Sequence, residues 1–442
     1  MNAQPKSKAP IRQTTAERQL NLQERIATAR REHNRKPVRT AAYIEYKNVD
    51  PAVETALYYG FTPLSSPIII TKEDVNKARS LGDEERATSF SIAPTLEEKV
   101  ALFRHYGEKK LQEAPQPAMF CGEFISGSPS KKKPGERRLS IEIMGSSKSI
   151  AEATLIQTAF ATLREEGHQE LSLSINTVGD RESTNRFVRE LGNYYRKHLA
   201  SLPTACRALL RKSPLELLKC DHEKCKALAD EAPKSMGFLG DESRKHFKEV
   251  LEFLEELEIP YRIDHTLLGN RAFATETLFE VHESVTDADP TAEGSRVTSH
   301  CLCSGMRYNN LGKRLGDKRE VPSVGMNLLL TRAGKEINAS RRIRFKKPSI
   351  FFLQLGFCAK LKSLKVIEVL RQAHIPLYQA LNRDKLIAQV SSADNMKVPY
   401  SIILGQREAL ENCVIVRHTV NRAQESVPLH KLAEYVQKMK LG

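Results

Sequence analysis

The chain has 442 residues, which is long enough for two or three domains with separate cores. Lysine and arginine number 69 against 54 aspartates and glutamates, and this net charge of +15 favours polyanionic partners such as nucleic acid. No run of about 18 apolar residues predicts a transmembrane helix, and eight cysteines in so long a chain do not make a disulfide framework, so we expect a cytosolic protein without membrane contact.

The first 40 residues are polar and basic, with ten lysines and arginines against three glutamates. This composition predicts a solvated, disordered extension at 1–40. The functional alternative is an arm that contacts the phosphate backbone of a nucleic acid.

Regular helix and strand patterns begin near Ala41. A first helix ends at Gly60, and a strand follows Pro67. The next predicted elements are a helix in TLEEKVALFRHYGEKKL, strands in AMFCGEFISGS and RRLSIEIMGS, a long helix in SIAEATLIQTAFATLREEGHQ, and a strand in ELSLSINTVGD.

The pattern becomes helical and charged from 181 to about 260, which predicts a helical insertion within a core at 41–340. Strands then return in YRIDHTLLG, TETLFEVHES, SRVTSHCLCSGMRY and VGMNLLLTRAGKE. We expect LLGNRAFATETLFEV, residues 267–281, to be a strand that enters a pocket.

A basic stretch at 341–348 predicts a linker. Beyond it, at 349–442, short strands alternate with helices of 10–15 residues. That rhythm is typical of a small α/β domain with parallel strand pairing.

Five segments, in their order along about 45–442, carry a resemblance to a known family. They are YYGFTPLSSPII with Pro67, INTVGD at 175–180, CSGMRYNNL at 303–311, VPSVGMNLLLTR at 321–332, and GQREALENCVIVRHTVNRAQESVPLHKLAEYV at 405–436. Together they resemble the histidyl-tRNA synthetases, which are class II aminoacyl-tRNA synthetases, and suggest a divergent paralogue.

The resemblance implies an α+β class II core, in which an antiparallel sheet is flanked by helices, followed by a C-terminal α/β domain that reads the anticodon. It also implies a homodimer, with the first of the five segments at the dimer interface. The loop SGSPSKKKPGERR would touch the acceptor end of tRNA through Lys131, Lys132 and Lys133. A solvated basic loop is the alternative.

The catalytic motifs of the family are only partly present. Its Phe-Arg-x-Glu motif corresponds to FCGE, in which Glu123 remains and Cys121 replaces the arginine. A neutral thiol cannot replace a bidentate guanidinium on a phosphate. In the third class II motif Arg332 remains, while the glycine that leaves room for adenine corresponds to Leu329.

Residues 267–281 align with a family segment that supplies an arginine to the α-phosphate and tyrosines to the histidine side chain. The arginine position is Gly269, and the tyrosine positions are Phe273 and Ala274. Arg271 is two residues farther along and, in a strand, would share the face of Gly269 about 7 Å away. It is therefore a candidate for partial compensation.

The amino-acid pocket of the family is also altered. SIAPTLEEK resembles its Arg-Pro-Glu-Gly-Thr segment, with Thr95 in place of the glutamate that binds the ammonium group. Glu97 or Glu98 could substitute after a loop rearrangement. Glu142 matches the acidic residue near the histidine ring, and a nearby glutamine is replaced by Arg138.

The segment KCDHEKC and an upstream cysteine supply Cys206, Cys220, His222 and Cys225, which are residue types that bind zinc. Free thiols are the simpler expectation, so we assign no metal and keep zinc as the alternative.

These substitutions predict a catalytically degenerate relative of histidyl-tRNA synthetase that binds tRNA or a protein partner. One alternative is an active histidine–tRNA ligase with an atypical site, which would require ATP and Mg²⁺. The other is a histidine-sensing regulatory subunit like the one that pairs with ATP phosphoribosyltransferase, although that family usually lacks the C-terminal domain.

Overall fold

The computed structural model describes residues 43–82, 92–114, 116–126, 136–287, 296–331 and 341–439, and two main β-sheets flanked by helices form its framework. The strands are β1 (Tyr43–Val49), β2 (Thr62–Pro63), β3 (Ile68–Ile70), β4 (Ala118–Gly122), β5 (Phe124–Ser126), β6 (Glu136–Met144), β7 (Leu171–Thr177), β8 (Tyr261–Ile263), β9 (Thr275–Asp287), β10 (Arg296–Arg307), β11 (Ser323–Thr331), β12 (Arg341–Lys346), β13 (Ile350–Gln354), β14 (Tyr378–Gln379), β15 (Tyr400–Leu404), β16 (Cys413–His418) and β17 (Gln424–Pro428).

Helices connect and cover these strands. They are α1 (Pro51–Tyr58), α2 (Lys72–Leu81), α3 (Leu96–Glu108), α4 (Ile150–Glu166), α5 (Arg181–Lys197), α6 (Thr204–Lys212), α7 (Leu215–Leu218), α8 (Glu223–Glu231), α9 (Asp241–Glu256), α10 (Leu311–Leu315), α11 (Phe357–Gln372), α12 (Leu386–Met396), α13 (Gln406–Glu411) and α14 (Leu432–Lys438). Among the described residues, none of the helices is both long and apolar enough to cross a bilayer.

The main sheet has eight strands in the order β2-β4-β6-β11-β10-β9-β7-β8. Its central pairs, from β4 to β7, are antiparallel, whereas β2 pairs with β4 and β8 pairs with β7 in parallel. The predicted antiparallel sheet flanked by helices is therefore confirmed, with a parallel pair at each edge.

Helix α4 covers one face of this sheet. Each residue from Ile150 to Leu163 is buried, and the helix packs in one core with Ile141 of β6 and Met326 of β11. Its sequence is apolar or small on every side, which is the pattern of a helix enclosed by other elements. The cleft described below lies on the opposite face of the sheet.

The first turn of α4 carries a charge into this core. The carboxylate of Glu152 accepts a hydrogen bond from the Arg307 guanidinium at 2.6 Å and contacts the His246 imidazole at 2.6 Å. Glu152 and Arg307 are both fully buried, and Arg307 also donates to the Ser146 carbonyl at 2.7 Å. This ion pair ties β10 to α4 and to the start of that helix.

The stretch predicted as a helical insertion is helical. Helices α5 to α9 occupy it, and the chain then returns to the sheet edge through β8. Helix α5 begins at Asp180, whose carboxylate caps the helix by accepting from the Ser183 amide at 2.8 Å.

The C-terminal strands form a second sheet in the order β14-β13-β15-β16-β17. Strand β13 pairs in parallel with β14 and β15, as predicted, whereas β16 and β17 add antiparallel pairs. All five residues of β13 are buried, as expected for a central parallel strand with both faces covered.

Two sequence expectations are wrong at the level of local structure. The strand expected over 267–281 begins only at Thr275, because the preceding residues form turns around Gly269, which has a left-handed φ of 62°. Much of the stretch predicted as a linker, 341–348, is strand β12, which pairs with β1. The basic extension predicted at 1–40 lies outside the described residues.

The Glu152–Arg307 pair generates a stability prediction. Glu152→Gln keeps the side-chain shape but leaves Arg307 buried without a counter-charge, so we expect a loss of about 3–5 kcal/mol in unfolding free energy. The matched control is Glu182→Gln, which removes the exposed partner of Arg186 and should cost less than about 1 kcal/mol. Urea denaturation measures both, and equal losses would contradict the assigned role.

The same pair predicts a pH dependence. Burial alone would raise the pKa of Glu152, but Arg307 and His246 outweigh it and lower the pKa from 4.5 to about 2. The stabilisation is therefore complete above about pH 4.5 and is lost as the pH falls towards 2. We expect the difference in stability between the wild type and Glu152→Gln to shrink over that interval, and a constant difference would contradict the assignment.

Candidate active-site cleft

A cleft of about 890 Å³ lies against the sheet face opposite α4. Strands β9 and β10 contribute its floor, and the insertion contributes one wall. Its lining consists of 93–95, 218–221, Lys226, Ala229, Asp230, Asp264, 266–270, Leu278, Glu280 and 304–306. The cleft therefore brings Thr95 and Gly269, two positions singled out by the family resemblance, to one place.

The charges that line the cleft are unsuited to a triphosphate. Its acidic side chains are Asp221, Asp230, Asp264 and Glu280, and its basic ones are Lys219 and Lys226. No arginine lines it within the part of the chain that the structure describes. A nucleotide phosphate bound there would meet more negative than positive charge, which opposes binding.

Gly269 fits its position because it has no side chain. Its φ is 62°, and a Cβ atom there would lie 2.0 Å from Leu278 Cδ2. The neighbouring turn is fixed by Asn270, which accepts a hydrogen bond from the Ala272 amide at 2.9 Å. An arginine at this position, as in the family, would need a different backbone and a displaced Leu278.

Arg271 does not lie on the face of Gly269 as the sequence predicted. Since 267–274 is a turn rather than a strand, its side chain points away and donates to Ser213 Oγ at 2.7 Å. Arg271, Phe273 and Ala274 line a second cavity of about 820 Å³, and Arg271 does not line the first. The proposed compensation by Arg271 is therefore wrong for this conformation.

Phe273 is a packing residue in this arrangement. It is 4% exposed, and its ring meets that of Tyr308 edge-on at 6.2 Å. Aromatic contact of this kind fills space without offering a polar group to a ligand.

Thr95 caps helix α3 instead of binding a ligand group. Its hydroxyl accepts from the Glu98 amide at 3.2 Å, and the Glu98 carboxylate accepts from the Thr95 amide at 3.1 Å. This reciprocal pair is a capping box. Glu98 is buried and also receives hydrogen bonds from Arg138 and Asn327, so its carboxylate is already neutralised within the protein.

The Glu142 carboxylate also binds partners within the protein. Its carboxylate forms a fully buried ion pair with Lys99 and accepts from Ser140 Oγ at 2.8 Å and from the Tyr308 hydroxyl at 2.5 Å. Burial, followed by the charge of Glu142, raises the pKa of Tyr308 well above its usual value, so the hydroxyl stays protonated and donates. Three internal donors, Lys99, Ser140 and Tyr308, therefore already bind this carboxylate.

Gly325 makes room for this carboxylate. It lies directly opposite Glu142 in the pairing of β6 with β11, and a Cβ there would come within 1.7 Å of Glu142 Oε2. Sequence reasoning missed Lys99 and Tyr308 as partners. The available signal was a lysine within the apolar stripe of α3, beside Val100 and Phe103, where a charge requires a buried partner.

Strand β4 carries no basic side chain on either face of the sheet. Cys121 is fully buried opposite Ile141, in the core beneath α4, and burial raises the pKa of its thiol to about 12. Phe120, opposite Glu142, and Gly122 lie on the other face. The position aligned with the catalytic arginine therefore faces the hydrophobic core.

Glu123 follows β4 and binds internal partners. It forms an ion pair with Arg137, which also pairs with Asp50 at the start of α1. Leu329 lies on β11 opposite Arg138, on the face that carries Ser140. Arg332 and the three lysines Lys131, Lys132 and Lys133 lie outside the described residues.

The candidate zinc ligands are partly brought together. The sulfur atoms of Cys206, Cys220 and Cys225 all lie within 4.8 Å of one another. His222 is not part of this group, and its Nδ1 accepts a hydrogen bond from the Lys224 amide at 3.2 Å.

Known proteins resemble both the core and the C-terminal domain of this chain. Residues 358–439 match a family model described as an anticodon binding domain, which confirms that prediction. The histidine–tRNA ligase of Halothermothrix orenii is 26% identical over 382 residues, 84% of this chain and 86% of that protein. The histidine–tRNA ligase of Dehalococcoides mccartyi is 28% identical over 295 residues, 66% of this chain and 68% of that protein.

A crystal structure of apo histidyl-tRNA synthetase from S. aureus is 20% identical, with a TM-score of 0.44, and covers 99% of this chain and 100% of that one. The alignment with the Halothermothrix orenii protein covers most of this chain and most of that protein. The anticodon binding domain follows the core in this chain, which is the order that the sequence segments indicated. Over most of its length the chain is therefore similar to histidine–tRNA ligases, and its C-terminal part matches an anticodon binding domain.

Proposed function

We propose that this protein binds tRNA but has lost, or nearly lost, the ability to form histidyl adenylate. The observation that carries the proposal is the charge of the cleft, whose described lining has four carboxylates, two lysines and no arginine. Adenylate formation places extra negative charge on the α-phosphate, and fixed cations are the main means of stabilising it.

The amino-acid side of the pocket supports the same proposal. Glu98 and Glu142 are the carboxylates that could receive the ammonium and imidazole groups of histidine, and both bind internal cations, Arg138 and Lys99. Freeing either carboxylate would break a buried or half-buried ion pair, which costs about 3–5 kcal/mol when one charge is left uncompensated. Binding histidine would have to offset that cost.

The RNA side of the proposal rests on the anticodon binding domain at 358–439 and on the net charge of +15. Positive charge supplies most of the affinity for a phosphate backbone and makes binding sensitive to salt. The domain lies on elements α11 to α14, which share no residue with the cleft, so RNA binding does not depend on the lost chemistry.

An active histidine–tRNA ligase with an atypical site is the second candidate, and the activity named for the sequence relatives favours it. Such an enzyme would draw its phosphate-binding cations from residues other than those that line the cleft.

Pyrophosphate exchange separates the two candidates. With histidine, ATP and Mg²⁺, we expect no exchange above background, because no described guanidinium reaches the cleft. The histidine–tRNA ligase of Halothermothrix orenii under the same conditions is the positive control. Exchange at a rate comparable to that control would establish the active ligase and overturn the proposal.

Filter binding of unfractionated tRNA tests the RNA component. We expect saturable binding that weakens by about tenfold or more between roughly 50 and 200 mM salt, as several phosphate contacts release counterions. A single-stranded homopolymer of equal length is the matched control and should bind more weakly. Binding that is absent, or equal for both RNAs, would remove support for a tRNA ligand.

Gly269, at the position aligned with the family's arginine, generates a further stability prediction. Gly269→Ala should lose about 2–4 kcal/mol of unfolding free energy, because left-handed backbone strain adds to overlap with Leu278. Gly167→Ala is the matched control, since Gly167 also has a positive φ, of 106°, but has nothing within 4 Å of its added Cβ. Equal losses in urea denaturation would show that Leu278 does not restrict position 269.

A further inference from the structure

Three thiols from separate elements of the insertion meet at one point. Cys206 lies in α6, Cys220 follows α7, and Cys225 lies in the first turn of α8. Their sulfur atoms are all within 4.8 Å of one another, and the Sγ atoms of Cys206 and Cys220 are 3.7 Å apart. Cys206 and Cys220 are 14 positions apart, and their sulfur atoms meet because the short helices that carry or flank the three cysteines pack together.

The sulfur spacing suits a tetrahedral metal ion. Zinc–sulfur bonds of about 2.3 Å place the thiolates of one site about 3.8 Å apart. A disulfide would require about 2.05 Å, and all three cysteines are free. The separation between Cys206 and Cys220 therefore fits shared coordination better than an existing bond between them.

A buried hydroxyl lies in the same hydrophobic cluster as Cys206 and Cys225. Tyr195 of α5 is fully buried, and its hydroxyl has no hydrogen-bond partner among the described residues. An unpaired buried donor is costly, so the described residues leave a polar group unsatisfied in the cluster that holds the thiols.

The local core is small enough to need such support. Helices α6, α7 and α8 have only 9, 4 and 9 residues. Short helices of this length are marginal without tertiary contacts, and a bound ion commonly supplies them in small structural units. Cys206 and Cys225 are buried in this core beside Leu215 and Leu217.

We propose that Cys206, Cys220 and Cys225 bind one Zn²⁺ ion, with the fourth coordination position open towards the cleft. Of the three cysteines, only Cys220 lines the cleft and is partly exposed, so an outside ligand reaches the ion from that side. Water is the ligand there in the free protein. Three protein ligands and one open position are the arrangement of zinc sites that exchange a ligand.

The charge and proton balance of the site is simple. Each thiol gives up its proton to solvent on binding, and no atom changes its oxidation state. Three thiolates and Zn²⁺ carry one net negative charge. Lys219, Asp221 and Lys226 also line the cleft beside Cys220, and Lys226 pairs with Asp221 at 3.2 Å, so these side chains add one net positive charge near the site.

Elemental analysis of the full-length protein, purified under reducing conditions from zinc-containing medium, is the first test. We expect one zinc ion per chain in the wild type and in Cys358→Ser, which removes an exposed thiol of α11. We expect its loss in Cys225→Ser. Wild-type protein that is folded and reduced but free of zinc would overturn the proposal.

Cobalt titration of the metal-free protein is the second test, because it reports the ligands directly. Tetrahedral Co²⁺ bound to thiolates shows visible d–d bands and a near-ultraviolet charge-transfer band. We expect both in the wild type, and at least about tenfold weaker binding in Cys220→Ser, since even outer partners of a metal site change affinity by that much. A wild type without the charge-transfer band would contradict thiolate coordination.

Two variants keep the result interpretable. Cys220 is partly exposed, so Cys220→Ser should remain folded by circular dichroism even if Cys225→Ser does not. His222→Ala should keep the wild-type cobalt spectrum, because the imidazole is outside the sulfur group. Loss of the spectrum in His222→Ala would place the imidazole on the ion and contradict the open position.

Discussion

The ion pair between Glu142 and Lys99 lies on the sheet face opposite α4, and it fixes the charge state of that buried carboxylate. Lys99 projects from α3, Glu142 projects from β6, and both are fully buried. Tyr308 supplies a further donor, and Gly325 leaves the carboxylate its space. A ligand that replaced Lys99 on this carboxylate would leave a buried charge unpaired, at a cost of about 3–5 kcal/mol. The charge of Glu142 is therefore neutralised by the protein itself.

The anticodon binding domain is held to the core by contacts that do not involve the cleft. Arg371 of α11 forms ion pairs with Glu165 of α4 and with Glu368 on its own helix. The Tyr59 hydroxyl donates to Glu368, and burial together with that carboxylate raises the pKa of Tyr59 well above its usual value. None of these junction residues lines the cleft. The proposed loss of adenylation would therefore leave the contacts of the anticodon binding domain with the core in place.

The sequence predicted the parts of the structure that depend on local pattern. The capped start of α3 at Thr95 and the antiparallel strands follow from spacing and side-chain type. It failed at Arg271, because a strand was assumed where the left-handed φ of Gly269 produces a turn and reverses the direction of the side chain. It also missed Lys99 as the partner of Glu142, since residues 43 positions apart in the sequence meet only through tertiary packing. The grouping of Cys206, Cys220 and Cys225 was visible in the sequence, whereas the exclusion of His222 from that group needed the structure.

The proposed loss of adenylation depends on the charges that line this cleft. Calorimetric titration with a non-hydrolysable histidyl-adenylate analogue measures whether the cleft binds an activated histidine, because the analogue reports binding without turnover, and the histidine–tRNA ligase of Halothermothrix orenii serves as the reference. We expect no measurable heat of binding at analogue concentrations that saturate the reference enzyme. Binding as tight as that of the reference would overturn the proposal and would mean that the cleft presents cations other than the two lysines described.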